Sequence, residues 1–139
     1  MILYRYQFIN QQDIYKKTVY IRFVVGSDSD SPRTQSGLFT EAEYLRKRGL
    51  LESYQEKLVI DIFKFFNENL PCPPYSKKKW SIDAISWFKD TAFEYIDKMR
   101  DLAIILEENN LIVRVLKTDK PGMILYEDEF QIVSQNKIY

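Results

Sequence analysis

Three observations in this 139-residue chain predict a single α+β domain spanning residues 1–139. Residues 82–134 run as apolar strand, amphipathic helix, apolar strand, turn and two short strands. Two sequences that start helices precede them, and residues 2–8 and 19–25 alternate at period two. The expected architecture is a mixed β-sheet of about five to six strands packed by two to three α-helices, containing a βαβ unit followed by a C-terminal β-hairpin. At this length about two-thirds of the unfolded chain's surface leaves water on folding, so one core suffices.

Ile2, Tyr4, Tyr6 and Phe8 alternate with more polar neighbours, as do Val19, Ile21, Phe23 and Val25; the two strands they predict can pair antiparallel across a long loop. Residues 26–37, bounded by Gly26 and Gly37, lack large apolar side chains and form a connection. Thr40 with Glu43 has the form of a capping box, and Phe39 with Tyr44 that of its hydrophobic staple. The helix they open ends in Arg46, Lys47 and Arg48, which suit the negative end of the dipole, with Gly49 in the left-handed position that follows.

Ser53 with Glu56 is a second capping box, opening a helix with an apolar face of Leu58, Val59, Ile62, Phe63, Phe65 and Phe66. Pro71, Pro73 and Pro74 stop it. Ile82, Ala84, Ile85, Trp87 and Phe88 then make a strand whose adjacent rings point to both faces of a sheet, which predicts a central position. Asp90 is placed as the N-cap of a helix from Thr91. Its buried face is Ala92, Tyr95, Ile96, Met99, Leu102, Ala103 and Leu106, and it ends at Asn109 and Asn110. A β-branched strand over 111–116 completes a parallel crossover, right-handed in about 98% of such units. Pro121 and Gly122 suit a type II turn, and residues 123–126 and 130–133 form a hairpin about Glu127, Asp128 and Glu129.

Composition narrows the function. Lys plus Arg number 20 and Asp plus Glu number 20, so net charge selects neither nucleic acid nor an acidic membrane surface. Aromatic residues make up 15%, ten of them Tyr, which predicts a core rich in rings. Cys72 is the only cysteine: no intrachain disulfide can form, and a reducing compartment is favoured. No apolar run approaches the roughly 20 residues that span a bilayer, so the expected location is cytoplasmic. Histidine is absent, which removes the side chain most used for acid–base work near neutral pH and for binding transition metals. Carboxylate-held magnesium or manganese, Lys or Tyr chemistry, or no chemistry remain.

These constraints predict a small non-catalytic binding or regulatory module acting through protein–protein contacts, as a homodimer or with a protein partner; no catalytic residue, metal ligand or cofactor is assigned. The alternative is a module for an anionic ligand. A nucleotide would meet Ser27, Ser29, Ser31, Thr34, Ser36 and Arg33 of the 26–37 loop, where hydroxyls and backbone N–H groups suit a phosphate. A nucleic acid would instead meet Lys77, Lys78, Lys79 and Trp80, three positive charges beside a ring able to stack on a base. A third reading gathers Asp28, Asp30, Glu127 and Glu129 about a divalent cation for phosphoryl hydrolysis.

The nine residues from Val24 to Pro32, reading VVGSDSDSP, resemble the strand-to-loop phosphate-binding signature of the carboxyaminoimidazole ribonucleotide mutases of purine synthesis. In that family the loop leads directly into a long helix, a catalytic histidine follows, and a Gly- and Ala-rich segment completes the site. This chain has none of these, so the resemblance is read as local convergence on one loop.

Overall fold

The computed structural model describes residues 17–26, 36–75, 79–81 and 83–135. In chain order they form β1 (Tyr20–Val25), β2 (Ser36–Gly37), α1 (Leu38–Lys47), α2 (Ser53–Asn69), β3 (Ile85–Lys89), α3 (Phe93–Glu108), β4 (Val113–Thr118), β5 (Met123–Glu127) and β6 (Gln131–Gln135). The result is an α+β domain. The strand anticipated at Ile2 to Phe8 lies outside the described residues.

The strands join in one six-stranded sheet, antiparallel at every pairing. β1 lies full length against β4 on one side, while β3 and β2 share its other side. β6 follows β3, and β5 follows β6. The parallel relation expected of the crossover is kept in a split form: β3 and β4 both run antiparallel to β1, which lies between them.

The short link from β4 to β5 forces the sheet to curl. Thr118 ends β4 opposite Tyr20, whereas Met123 begins β5 opposite Gln135 at the far edge. Five Cα–Cα steps reach at most ~19 Å, already the width of four flat ladders at ~4.8 Å each. Gly122, at φ 96°, bends the path further. A flat sheet cannot be connected this way, so the two edges curve toward each other. Ser134, fully buried, fastens the link by donating its hydroxyl to the Pro121 carbonyl at 2.9 Å.

The helices bury the faces that their periodicity predicts. On α3, Tyr95, Ile96, Met99, Leu102, Ala103 and Leu106 are all buried, and so is Ala92 before it. On α2 the buried line is Gln55, Val59, Ile62 and Phe66. Leu58, expected on that face, lies about 70° round the helix from the centre of that line and is exposed. The ring-rich core is present: Phe66 packs against Phe39, Phe65, Phe88 and Tyr95 at centroid distances of 4.9–6.1 Å.

All three helices start differently from expectation, each because a neighbour claims the starting residues. β2 holds Ser36 and Gly37 extended against Val25 and Val24, so α1 begins at once at the buried Leu38 and Thr40 lies inside it. The capping box of α2 is Glu52 with Gln55, one residue before the predicted pair; the Glu52 N–H donates to Gln55 Oε1 at 3.0 Å. Gln55 serves because its amide also donates, reaching Glu108 Oε1 at 3.2 Å and tying the start of α2 to the end of α3. Asp90 does not cap α3, whose N-cap is Ala92. Its carboxylate instead accepts the Val19 N–H at 3.4 Å and its own N–H donates to the Val19 carbonyl at 2.9 Å, clasping the entry to β1.

The helix ends agree with expectation. Gly49 has φ 66° and Asn110 φ 68°. In both places the next residue's N–H returns to a carbonyl five residues back, Leu50 to Leu45 and Leu111 to Leu106, closing a Schellman motif.

Candidate functional site

The proline segment after α2 builds one wall of the principal groove. Leu70 leaves the helix in extended geometry, and three prolines keep the chain extended. Gln131 on β6 pins this segment by donating Nε2–H to the Pro71 carbonyl at 2.6 Å, and Pro73 is buried. Between this strap, α1, α2 and β3 opens a cavity of about 1040 Å³. Its walls are largely apolar, with Phe39, Phe63, Phe66, Leu70 and Trp87 prominent.

One end of the cavity is polar because two strands part there. β1 and β3 pair at Tyr20 with Lys89 and at Ile21 with Phe88, then separate as β2 takes over the edge of β1. Arg22 sits at the fork and donates Nη1–H to the Ser86 carbonyl at 3.3 Å. The Ser86 hydroxyl is hydrogen-bonded to the Tyr75 hydroxyl on the strap. Among the described residues, Arg22 has no carboxylate within ion-pair distance. Burial draws the Arg22 pKa below its ordinary value, with Tyr75 opposing that shift, and an arginine so placed still carries its charge. The neighbouring Trp87 indole N–H is buried without a hydrogen-bond partner among the described residues.

The other charged groups on the lining are already occupied. Glu43 accepts Arg46 at 2.5 and 3.1 Å, and Lys47 approaches the same carboxylate at 3.9 Å. The Arg46 hydrogen bond holds the Glu43 carboxyl below the usual range. The lining therefore leaves a net positive field centred on Arg22.

The acidic turn between β5 and β6 is structural. Asp128 Oδ1 accepts the backbone N–H groups of Phe130 at 2.8 Å and Gln131 at 3.1 Å. Its Oδ2 accepts the Tyr126 hydroxyl at 2.7 Å and Gln131 Nε2 at 3.0 Å. Burial pushes the Asp128 pKa up, but these hydrogen bonds outweigh it and the carboxyl lies below its ordinary value. Tyr126 is pushed up to about 12, chiefly by its bond to Asp128. Glu127 pairs with Lys89 at 2.6 Å. Among the described residues no group of three acidic, His or Cys side chains is placed to hold a metal ion.

The residues singled out from sequence are distributed unevenly. Ser27, Asp28, Ser29, Asp30, Ser31, Arg33, Thr34, Lys77 and Lys78 lie outside the described residues. Lys79 is exposed, and Trp80 sets its ring edge-to-face on Tyr75 at 5.5 Å, one residue from the polar end of the groove by contact. Arg22, Tyr75, Ser86 and Gln131 were missed. In sequence Arg22 is only the polar beat between Ile21 and Phe23, and nothing local shows that its strand loses a partner there. The three prolines were the one available signal, since a strap that cannot join a helix or a central strand tends to leave a groove beside it.

No helix among the described residues is long and apolar enough to cross a membrane. Comparison with protein-family models, with curated proteins and with solved structures finds no match.

Proposed function

We propose that this protein is a non-catalytic binding module whose groove between α1, the 70–75 strap and β3 takes a small ligand with a large apolar part. The observation that carries this reading is the cavity itself: about 1040 Å³, walled by aromatic and aliphatic side chains, with a few polar groups gathered at one end. Ligand sites have this composition and run to about 1,000 Å³. The lack of histidine supports a binding role over acid–base catalysis, and the single cysteine supports a reducing, cytoplasmic setting. Titration with decanol, followed by isothermal titration calorimetry, tests the reading. Saturable one-site binding that Thr40→Trp abolishes at the rim is the expected result; no saturable change in the parent protein refutes it.

A second reading, protein contact through self-association, is favoured by the outer edge of β4. Among the described residues this six-residue strand pairs only with β1, and the adjoining Ile112 and Val115 are 62% and 46% exposed. Exposed apolar side chains clustered on one strand are a surface for self-association. Light scattering decides it: a dimer that Val115→Lys converts to monomer supports the reading, and a monomer throughout the micromolar range removes it.

A further inference from the structure

We infer that the groove is selective for a ligand that ends in a carboxylate, and that Arg22 is the residue that reads it. This inference rests on the groove being the binding site and names the chemistry of what enters.

The argument begins with the donors of Arg22. A guanidinium has five N–H groups, and among the described residues one of them is used, on the Ser86 carbonyl at 3.3 Å. The remaining donors lie at the lining of an apolar cavity, with no acidic side chain of the described residues paired to them. A partly buried cation is favoured only when an anion or hydrogen-bond acceptors compensate it. Lining charges are Arg22, Lys47 and Glu43, and Glu43 is already neutralised by Arg46 and Lys47. Among the described residues, the lining therefore carries one uncompensated positive charge at its polar end.

Shape supports the same conclusion. Arg22 is held by the Ser86 carbonyl, and the Tyr75 and Ser86 hydroxyls, bonded to each other, belong to residues that line the same cavity. A planar fork of donors matches the two oxygens of a carboxylate. Phe39, Phe63, Phe66 and Leu70 line the rest of the cavity, which suits an alkyl or aryl body. A ligand with both parts, an amphipathic monocarboxylate, satisfies the cation and covers the apolar walls at once.

The experiment compares decanoate with decanol by isothermal titration calorimetry at neutral pH, on the parent chain and on Arg22→Met. Decanoate is expected to bind the parent at least tenfold more tightly than decanol, and to lose that advantage in Arg22→Met while decanol affinity stays within about twofold. Raising the salt concentration should weaken decanoate and leave decanol unchanged. Equal affinities of the parent for the two probes overturn the inference while leaving the groove reading intact. Failure of both probes to bind overturns the groove reading itself. Should Arg22→Met not fold, the parent's preference and its salt dependence still decide the matter.

Discussion

Gln131 joins the acidic turn to the strap of the groove, so its replacement tests how the site is held together. The side chain is 4% exposed and donates both to Pro71 at 2.6 Å and to Asp128 Oδ2 at 3.0 Å. Gln131→Met keeps the volume and removes both bonds. A hydrogen bond to a charged group contributes about 1.5–3 kcal/mol and one between neutral groups about 0.5–1.5 kcal/mol. Asp128 keeps three other donors, and the exposed Pro71 can turn its carbonyl to water. Added apolar contact returns part of the loss, which leaves a net cost of about 2–3 kcal/mol.

Gln131→Glu carries the same loss and adds a second carboxylate about 3 Å from the first. At an effective dielectric of 20, two charges at that distance repel by about 5 kcal/mol before any relaxation. The introduced carboxyl therefore has a raised pKa in the folded protein. Its extra destabilisation is full above that raised value and shrinks as the pH falls through it.

Urea unfolding at pH 7 and at pH 5 measures both effects. With a slope near 2 kcal/mol per molar, the midpoint of Gln131→Met should fall by about 1 M without a change in slope. Gln131→Glu should fall further at pH 7 and recover part of the difference at pH 5. A midpoint for Gln131→Met within about 0.2 M of the parent, or a Gln131→Glu protein as stable as Gln131→Met at pH 7, would refute the reasoning.

Three other outcomes are expected. Because Tyr126 is pushed up to about 12 by its bond to Asp128, it adds stability that is complete below the ordinary tyrosine value of about 10 and lost as pH rises through about 12; alkaline titration of tyrosinate absorbance should lose one late-ionising group in Tyr126→Phe. The lowered Asp128 adds stability that is complete above the ordinary value of about 3.9 and lost as pH falls through its folded value, so the stability gap between Asp128→Asn and the parent should close in strong acid in denaturant midpoints. Asn110, at φ 68°, should tolerate Gly with little or no loss, whereas Ala should cost about 1 kcal/mol in thermal unfolding.

Local rules of the chain account for much of this protein on their own. Periodicity located the buried face of α3 apart from Ile105, and Gly49 and Asn110 announced both Schellman ends, because these depend on neighbours three to five positions away. The hairpin of β5 and β6 was legible for the same reason. Helix starts were less so. Asp90, Thr40 and Ser53 all carry the chemistry of a cap, yet Val19, β2 and Glu108 bind the neighbouring groups first, and such competition spans tens of residues. The curl of the sheet follows from a strand order that no local pattern encodes: only when β4 and β5 occupy opposite edges does a four-residue link become too short for a flat sheet. The fork that exposes Arg22 to the groove has the same origin, since a side chain's partners are set by which strand ends beside it.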